Sequence, residues 1–577
     1  MITPAPDSSP GIPGRRDVRI EAHGERVVPW RQSQKGGQRE DRMLRQVTVS
    51  LPPRISDYSP DLPPSVAAQT DKALTAITRL DSTHGQHLAS LAVLLLRAES
   101  VASSKIEHVE ASMEDFARAS HGTKSNASAT SMVASAEALA SLISSVDDGG
   151  PISLDNILDA HRILMVEDPY ETPYAGRLRD MQNWIGRSDY SPRNALYVPP
   201  PDETVEAYMV DLLEFANRDD VPALAQAAIA HAQFESIHPF TDGNGRIGRA
   251  LINTILRRRE VTSRIVVPLA SALVARKETY FEVLAAYREG DAGPIIQAFA
   301  RAAEISTHES EASAQRLADL PELWTAQYTE AAGRPPRADS AARRILDLLP
   351  TTPFFTTEEM EDVVGGATSS VYGAIEKLAS AGILRPLTNR KRKQVWCASA
   401  IIDELEDLGE RVAQKTATDP VWRNIQSQVI ADLLRYDQAK WANLSDVLAR
   451  AELSAPMREA IDVARLSESA RMALVDSIRI PDTVRANLDR LGASGAIQEA
   501  IEATLITKSV RDALVDSATV PNSIQRSIDQ WSDLSDSLVR STRLPDSVRR
   551  SLDNLLSQSP TKTAASTEPA PGQVSEG

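Results

Sequence analysis

Apolar residues recur at intervals of three and four positions through much of this chain. Leu74, Ile77 and Leu80 form one such series, and residues 88–95 form another. This spacing places the apolar side chains on one face of an α-helix, whereas a half-buried strand would need strict alternation. The pattern continues in four more segments, residues 103–116, 134–143, 154–165 and 204–215. The sequence therefore predicts a mainly α-helical protein.

Length and composition exclude several classes of protein. The chain has 577 residues, which implies about three to five domains, and its single cysteine excludes a disulfide scaffold. No stretch approaches the ~20 consecutive apolar residues that cross a bilayer, and no apolar signal-peptide core follows the N-terminus, so we expect a cytoplasmic location. The net charge of −16 argues against a protein that mainly coats nucleic acid.

The two ends of the chain lack a pattern that predicts packing. Residues 1–46 are rich in proline, glycine and charge without an apolar period, so we expect disorder there. Residues 47–55 begin with a short alternation that is followed by a pair of prolines, which predicts an extended segment. Residues 557–577 form a polar tail that we also expect to be disordered.

An extended region interrupts the helical pattern between residues 170 and 201. Non-helical segments occur in it at Gly176, at residues 181–186 and at residues 196–198. The region ends in three consecutive prolines. Short extended runs separated by turn residues predict a β-hairpin. Helices are predicted again at residues 223–236, 245–258, 271–289 and 294–320.

Two further regions follow a linker at residues 335–338. Residues 335–400 contain three helical runs and two short β-like stretches, an order typical of a winged helix-turn-helix. Residues 420–556 repeat themselves, and each copy places a proline beside a short polar residue near a helix start. These prolines are Pro481, Pro521 and Pro545. The repeats predict short stacked helices rather than a catalytic region.

The residues that carry chemistry are concentrated in one short motif. It occupies residues 238–249 and reads His-Pro-Phe-Thr-Asp-Gly-Asn-Gly-Arg-Ile-Gly-Arg. Gly243, Asn244 and Gly245 permit a tight turn whose N–H groups point the same way, and the start of the next helix adds positive charge. Arg246 and Arg249 lie three residues apart, so both guanidinium groups can contact one polyphosphate. The motif predicts an anion-binding site.

Two further side chains of the motif indicate the type of reaction. Asp242 directly precedes the turn and can hold Mg²⁺ shared with phosphate oxygens, since Mg²⁺ prefers one or two carboxylates plus substrate. His238 precedes Pro239, which disfavours helical geometry and leaves the imidazole in the loop. A base beside a phosphate-binding turn indicates attack on phosphorus.

Three other interpretations fit part of the motif. Residues 243–248 match the dinucleotide fingerprint G-x-G-x-x-G, but no strand is predicted before them, which excludes a Rossmann site. His231, Glu235 and His238 have the spacing of metal ligands on one helix face. Pro239 draws His238 off that helix, so core packing of His231 is favoured. An ordinary helix N-terminus with solvated arginines explains each feature alone but not their combination.

The motif resembles the signature of the Fic family, H-P-F-x-[DE]-G-N-G-R-x-x-R, and every specified position matches. The resemblance implies a Fic/DOC protein adenylyltransferase, which uses ATP and Mg²⁺ to transfer AMP to a Ser, Thr or Tyr hydroxyl of a target protein. It implies an all-helical catalytic core with a β-hairpin flap over residues 126–310. A helical region over residues 47–125, with an inhibitory helix, is implied to precede it.

The resemblance also assigns a role to each residue of the motif. His238 is implied as the general base for the target hydroxyl, Asp242 as the Mg²⁺ ligand, and Phe240 as a core residue that fixes the loop. The turn is implied to bind the α- and β-phosphates, and the two arginines the β- and γ-phosphates. The nucleotide-binding residues implied in this way are Gly243, Asn244, Gly245, Arg246 and Arg249.

The flanking sequence carries one further likeness and one further pair of candidate residues. Trp184, Ile185 and Gly186 resemble the flap on which the family docks its target proteins. Tyr280 and Tyr287, on a helix after the motif, are candidates for adenine contact by their position, with ordinary packing as the alternative.

Residues 103–107 resemble the inhibitory helix of the family, with the pattern [ST]-x-x-x-E-[GN]. Ser103 and Glu107 match this pattern, and His108 stands where glycine or asparagine is expected. If the helix docks on the site, Glu107 is implied to pair with Arg249 in the γ-phosphate position. ATP then binds only in a nonproductive pose, so the resemblance predicts low activity by default.

Functions of other classes stay open from the sequence. The winged helix favours a DNA-binding regulator that senses nucleotide, because residues 390–393 form a basic run at its wing tip and Ser369, Ser370 and Tyr372 begin its recognition helix. The same module serves equally for docking a protein. A Fic-fold enzyme can also act mainly in the reverse reaction, removal of AMP, and the repeats can serve as a scaffold. A homodimer is compatible with the sequence.

Overall fold

The computed structural model describes residues 18–32, 35–83, 88–122, 126–186, 188–388, 394–430 and 432. Most of these residues are helical, which confirms the prediction from the apolar spacing, and two small sheets accompany the helices. Within these ranges, no helix combines the length and apolar character needed for a bilayer crossing. The predictions for residues 1–17, for the basic run 390–393, for the repeats beyond residue 432 and for the tail lie outside the described residues.

The N-terminal segment differs from the disorder predicted for residues 1–46. Strand β1 (Gly24–Pro29) pairs antiparallel with strand β2 (Gln46–Leu51), and helix α1 (Arg39–Met43) lies between them. Before β1, the backbone also forms hydrogen bonds with residues 288–292. The prediction is wrong over this part because pairing with distant residues satisfies backbone groups, whatever the local composition.

The helices that follow β2 pack around one central member. They are α2 (Pro64–Thr83), α3 (Leu88–Ile106), α4 (Met113–Ser120), α5 (Ala127–Ser144), α6 (Leu154–Met165), α7 (Val205–Ala216), α8 (Ala223–Ile237), α9 (Asn244–Arg258), α10 (Leu269–Ala275), α11 (Lys277–Arg288) and α12 (Gly293–Ala332). Every residue of α8 is buried, and α8 packs against α7, α9, α11 and α12. A helix that is buried on every side lies in a core, and the many alanines of α8 let neighbouring helices approach closely. The loop that leaves α8 therefore starts from a fixed position.

The helix predicted over residues 103–116 is broken in the structure. Helix α3 ends at Ile106, and His108 adopts a left-handed backbone conformation with a φ of 58°. Ser112 then accepts a hydrogen bond from the N–H of Asp115 at 3.1 Å and so caps α4. The apolar period continues across the break because both helices face the same core, so periodicity alone does not reveal the turn.

The hairpin predicted between residues 170 and 201 is reduced, in the described residues, to one antiparallel pair. Ile185 donates its N–H to the carbonyl of Tyr197 at 2.8 Å, and Leu196 donates to Ile185 at 2.8 Å. Gly186 turns the chain with a φ of 83°, and a Cβ there would lie 2.9 Å from Leu196. The prolines near this pair have no N–H to donate, so the ladder does not extend.

Helix α12 runs past the end predicted at residue 320. It continues through Pro321 to Ala332, and Gly333 ends it with a φ of 74°. The prediction stops at the proline because proline lacks a backbone donor and usually ends a helix. Here the turns on both sides of Pro321 retain helical geometry, so the helix is simply longer.

A mixed region of helices and strands follows residues 333–340. Its elements are α13 (Ala341–Leu348), β3 (Phe354–Thr356), α14 (Thr357–Val364), α15 (Thr368–Ser380), β4 (Leu384–Pro386), β5 (Val395–Ala398) and α16 (Ser399–Thr418). The strands form an antiparallel sheet in the order β3-β5-β4. Strand β3 and helix α16 are additions to the elements expected for this region.

The mixed region packs directly on α3 and α4. The ring of Phe116 in α4 meets the ring of Phe354 in β3 with centroids 6.5 Å apart. Arg118 donates from Nη1 to the carbonyl of Leu387 at 2.9 Å, and α16 packs against α3. The helices on either side of residues 107–112 are therefore held by the mixed region as well as by the bundle.

Candidate active site

The loop between α8 and α9 holds the 238–249 motif in a defined shape. His238 ends α8 in a left-handed conformation with a φ of 50°, and Gly243 precedes α9 with a φ of 76°. Phe240 is fully buried, and its ring stacks on that of His161 with centroids 3.7 Å apart and planes 4° apart. Two left-handed residues and one buried ring thus determine the path of the loop.

Asn244 closes this loop through its side chain. Its Oδ1 accepts the N–H of Phe240 at 2.8 Å, and its Nδ2 donates to the carbonyl of Phe240 at 2.8 Å. The side chain is buried and lies against the loop, while the backbone of Asn244 begins α9. The family resemblance implies phosphate contact for Asn244. In this conformation the side chain is bonded to the loop, so only the backbone of Asn244 can make that contact.

The N-terminus of α9 provides free backbone donors for an anion. Gly243 supplies no side-chain cap, and Ile247 donates the first helical hydrogen bond, to the carbonyl of Gly243 at 3.1 Å. The N–H groups of Asn244, Gly245 and Arg246 precede that bond and have no place in the helical ladder. An anion here accepts these donors and also gains from the helix dipole.

Both arginines of the motif are buried and have protein partners. Arg246 donates from Nη1 to the hydroxyl of Ser131 at 2.7 Å. Arg249 is 1 % exposed, and it donates from Nε to the hydroxyl of Ser103 at 2.9 Å. Its Nη2 donates to Oε1 of Glu107 at 2.7 Å. The pair between Glu107 and Arg249 that the resemblance implies is thus present in the structure.

The carboxylate of Glu107 lies against the first turn of α9. A Cβ built on Gly245 would clash with Oε1 of Glu107, so glycine leaves the room that this carboxylate occupies. Burial acts to raise the pKa of Glu107, but the charges of Arg249 and Arg246 outweigh it, and the pKa lies below its ordinary value. Glu107 is therefore ionised at neutral pH. Its carboxylate occupies the position next to Arg249 where another anion could bind.

His238 is held as a neutral ring. Burial, together with the charges of Arg179 and Arg288, lowers the pKa of His238 to about 3. Its Nδ1 lies 3.0 Å from Nδ2 of Asn183 and 3.2 Å from Nδ2 of Asn244. Both amide nitrogens are donors, so Nδ1 carries the lone pair and Nε2 carries the proton. An incoming hydroxyl must displace Asn183, or meet the other tautomer at Nε2, to give the ring its proton.

Arg179 positions His238 from the side of the 170–201 region, and no pattern in the sequence pointed to this role. Its Nε donates to the carbonyl of His238 at 2.9 Å, and its Nη2 donates to the carbonyl of Pro200 at 2.6 Å. The backbone N–H of Arg179 also donates to the carbonyl of Pro239 at 2.9 Å. Arg179 lies between Leu178 and Asp180, and this local sequence gives no sign that the arginine will be buried.

His161 and Asn183 also hold the loop and were missed. His161 donates from Nε2 to the carbonyl of Asp242 at 3.2 Å and accepts the N–H of Gly176 at Nδ1 at 3.0 Å. Burial lowers the pKa of His161 to about 4, so it keeps the neutral form that this pattern requires. Asn183 donates to the carbonyl of Phe240 at 2.8 Å. The position of Asn183 just before the flap residues is the one signal that the sequence offered.

Asp242 is the candidate metal ligand. Its side chain is 59 % exposed, and its Oδ2 lies 3.8 Å from Nη2 of Arg246. Its Oδ1 accepts the N–H of Gly243 at 2.6 Å. One exposed carboxylate beside an anion-binding turn fits a Mg²⁺ ion that shares phosphate oxygens and keeps water ligands. Among the described residues, no cluster of three or more His, Cys, Asp or Glu could hold a metal ion by itself.

Tyr280 and Tyr287 are core residues, which corrects their assignment as adenine contacts. The hydroxyl of Tyr280, a residue 1 % exposed, lies 2.8 Å from Nε2 of His231. Tyr287 is fully buried and donates to Oε1 of Gln233 at 2.8 Å. Both tyrosines face α8 because they lie seven residues apart, two turns along the same side of α11. Position along the chain suggested proximity to the site but not this orientation.

Trp184 places the flap beside the N-terminal sheet. Its ring packs edge-on against Trp30 with centroids 5.4 Å apart, and its Nε1 donates to the carbonyl of Ser188 at 2.6 Å. Ser50 in β2 donates its N–H to the carbonyl of Val198 at 2.9 Å. The N-terminal sheet therefore borders the flap.

Comparison with protein families matches residues 151–256 to the Fic/DOC family. Protein adenylyltransferase fic-1 of Caenorhabditis elegans is 33% identical over 159 residues, 27% of this chain and 28% of that protein. Protein adenylyltransferase Fic of Nematostella vectensis is 34% identical over 157 residues, 26% of this chain and 33% of that protein. The chain thus spans about a third or less of the length of these curated relatives.

Two solved structures show lower overall similarity. A Fic family protein from Desulfovibrio desulfuricans G20 is 21% identical, with a TM-score of 0.39, and the match covers 58% of this chain and 96% of that one. Fic-1 from C. elegans is 25% identical, with a TM-score of 0.34, and the match covers 43% of this chain and 73% of that one.

Proposed function

We propose that this chain, whose residues 151–256 belong to the Fic/DOC family, is a protein adenylyltransferase. The observation that carries the proposal is a neutral His238 next to the uncapped N-terminus of α9. The oxygen of a Ser, Thr or Tyr hydroxyl on a target protein bonds to the α-phosphorus of ATP. The bond from that phosphorus to the oxygen bridging to the β-phosphate breaks, pyrophosphate leaves, and the hydroxyl proton passes to His238.

The phosphates of ATP are proposed to lie at the start of α9. The backbone of Gly243, Asn244 and Gly245 accommodates the α- and β-phosphates, and Arg246 and Arg249 neutralise the β- and γ-phosphates. These groups are fixed before the substrate arrives, so little reorganisation accompanies the reaction. This is the usual source of catalysis in phosphoryl and nucleotidyl transfer, where positioning and charge do most of the work.

His238 and Asp242 complete the proposed chemistry. The lowered pKa keeps His238 unprotonated, as a base must be, and Arg179 and Asn183 keep its ring in place. Asp242 is proposed as the protein ligand of Mg²⁺. The ion, when bound, supplies positive charge that stabilises the leaving pyrophosphate.

Glu107 is proposed to inhibit this reaction. It pairs with Arg249 at 2.7 Å and lies over Gly245, so its carboxylate and the γ-phosphate compete for one cation. Two anions at such close range repel strongly in a partly buried site. ATP that binds beside Glu107 must move its phosphates away from in-line geometry, so the basal rate is low. Displacement of the end of α3 releases the enzyme.

Intact mass spectrometry after incubation with Mg-ATP tests the proposal. Glu107→Gly should raise the addition of AMP to the chain itself at least tenfold, about 1.4 kcal/mol in barrier height. The exposed Glu110 lies in the same turn, so Glu110→Gly is the matched control and should leave the basal rate unchanged.

A second substitution tests whether His238 is the general base. Adding His238→Ala to Glu107→Gly should abolish the adduct while nucleotide binding persists, because the anion site is unaltered. An adduct that forms equally well without His238 removes the base from the mechanism. A Glu107→Gly chain that adds AMP neither to itself nor to proteins of a cell lysate contradicts the whole proposal.

We propose a second function for residues 335–400, binding of duplex DNA by a winged helix-turn-helix. The order of elements from α13 to β5, with a three-stranded antiparallel sheet, favours that motif. Ser369, Ser370 and Tyr372 at the start of α15 are exposed, as residues that enter a groove must be. A duplex shifted at ~50 mM salt and released at ~200 mM supports this function, and no shift at the lower salt contradicts it.

A further inference from the structure

The segment between Arg26 and Arg45 is strongly basic, although the whole chain carries a net charge of −16. Its basic residues are Arg26, Arg31, Lys35, Arg39, Arg42 and Arg45. Its two acids are Glu40 and Asp41. Asp41 is buried, accepting the hydroxyl of Ser191 at 2.6 Å and the N–H of Gln38 at 2.7 Å. The charge of Asp41 is thus turned away from solvent, which leaves six exposed cations against one exposed acid, Glu40.

Four of these cations line one open cavity of about 620 Å³. Arg31, Lys35, Arg42 and Arg45 are all exposed, and no carboxylate is among the lining residues. The side chain of Trp30 forms part of the wall. A volume of this size accommodates a few side chains of a ligand. The cavity therefore offers a concentrated positive charge beside an aromatic surface.

The cavity is continuous with the flap. Trp30 in its wall packs edge-on against Trp184 of the flap, with ring centroids 5.4 Å apart. The ring of Tyr190 lies so close to Gly36 and Gly37 that a Cβ on either glycine would collide with it. These contacts tie the basic segment to the flap at two points, so the two present one surface.

The flap in turn reaches the catalytic base. Asn183 directly precedes Trp184, and its Nδ2 lies 3.0 Å from Nδ1 of His238. A polypeptide that lies along the flap can therefore present a hydroxyl near His238 while its flanking residues extend toward Trp30.

We propose that the basic cavity and the flap together dock an acidic segment of the target protein, adjacent to the hydroxyl that is modified. This inference rests on the proposed adenylyltransferase function and specifies its substrate class. Glutamate and aspartate side chains complement the four cations, which increases the rate of encounter and fixes the register of the bound segment. A polypeptide is favoured over duplex nucleic acid because the cations surround a concave space of a few side chains rather than a long track.

Binding of fluorescent peptides to the full-length protein tests this docking surface. Three synthetic peptides share one central acceptor hydroxyl and differ only in their flanks, which are rich in Glu, Gln or Lys. We expect the Glu-rich peptide to bind best at low salt, and this preference to shrink at high salt because the charges are exposed. Arg31→Glu combined with Lys35→Glu should weaken binding of the Glu-rich peptide about tenfold.

A matched control makes the same charge change elsewhere. Arg334 and Arg337 are exposed in the segment after α12, so Arg334→Glu with Arg337→Glu should leave peptide binding unchanged. Equal affinity for the three peptides, or equal loss in both double variants, overturns the proposal. Displacement of the Glu-rich peptide by a lower concentration of duplex DNA than of unlabelled peptide also overturns it, in favour of a nucleic-acid surface.

The binding experiment needs no ATP, so it separates the two proposals. A chain that prefers the Glu-rich peptide but never transfers AMP keeps the docking surface and contradicts the adenylyltransferase. A chain that adds AMP to itself but shows no preference among the peptides keeps the enzyme and contradicts the docking surface.

Discussion

At the scale of single residues, the site depends on a histidine held in a backbone conformation that side chains other than glycine rarely adopt. His238 has a φ of 50°, which costs about 1 kcal/mol for a residue with a Cβ. Hydrogen bonds from Arg179 to its carbonyl and from Asn183 to its ring hold it there. The same surroundings lower the pKa of His238 through partial burial and the charges of Arg179 and Arg288, so the position of the ring and its neutral form have a shared structural cause.

The pKa of His238 predicts an unusual acid limit for the reaction. A base with an ordinary histidine pKa loses activity as the pH falls below ~6.5, whereas a pKa of about 3 keeps this base unprotonated down to that value. AMP transfer by Glu107→Gly, at saturating Mg-ATP, should therefore show no loss from His238 between pH 8 and pH 5. Adding Asn183→Asp places a negative charge beside Nδ1 and raises the pKa of His238, so the acid limit should move upward by about one pH unit when the profiles are extended from pH 5 down to pH 3. Identical pH profiles for the two proteins contradict this account of the base.

At the scale of elements, the turn that ends α3 controls where Glu107 lies. His108 occupies a left-handed position with a φ of 58°, which explains why the family pattern has glycine or asparagine there. Lys277 in α11 donates to the carbonyl of Ile106 at 2.5 Å and lies 2.9 Å from Nε2 of His108. His108 thus lacks the conformational freedom that glycine would have at this position, but it gains a contact with α11.

Substitutions at His108 should move the basal rate in a predictable order. His108→Gly fits the left-handed turn without strain and should keep AMP incorporation low. His108→Ile puts a β-branched side chain in the same conformation at a cost of about 1–2 kcal/mol, which loosens the turn. Its rate, followed with labelled ATP, should rise several-fold toward that of Glu107→Gly. Equal rates for the glycine and isoleucine variants contradict a role for this turn in inhibition.

The elements also show which parts of the site can be predicted from sequence. His238 to Arg249 form one continuous motif on a helix junction, so spacing alone places them together. Three residues distant in sequence hold that motif: Arg179, Asn183 and His161 lie 59, 55 and 81 residues from the groups they contact. No local sequence pattern predicts contacts over such separations. Strand β1 was missed for the same reason, since it is stabilised by pairing with β2 and not by its own composition.

At the scale of the whole molecule, several ionisable groups are buried in their neutral forms. Burial lowers the pKa of His23 and His231 to about 3. It raises the pKa of Glu99 to about 8 and that of Glu235 to about 7. The histidines favour the folded state above pH ~6.5 and lose this contribution as the pH falls toward 3. The glutamates favour it below ~4.5 and lose their contribution as the pH rises through 7 to 8.

Glu99 offers a test of this balance away from the catalytic loop. Its Oε2 accepts the N–H of Ala270 at 2.8 Å, and Gln can keep that acceptor without a charge. Glu99→Gln should therefore be more stable than the parent at pH 8 by about 2 kcal/mol, with a much smaller difference at pH 5. Thermal unfolding at the two pH values measures this gap. A gap that is equal at both, or wider at pH 5, contradicts the raised pKa of Glu99.

The contact between Glu107 and Gly245 has a consequence for genetics. Any side chain at position 245 would fill the space that the Glu107 carboxylate occupies and that the proposed nucleotide site requires. Substitution of this glycine should therefore abolish the proposed regulation and the proposed catalysis together. Constitutively active alleles must instead arise on α3 or in the turn behind it, so a screen for hyperactivity should recover changes there and none in the glycine turn.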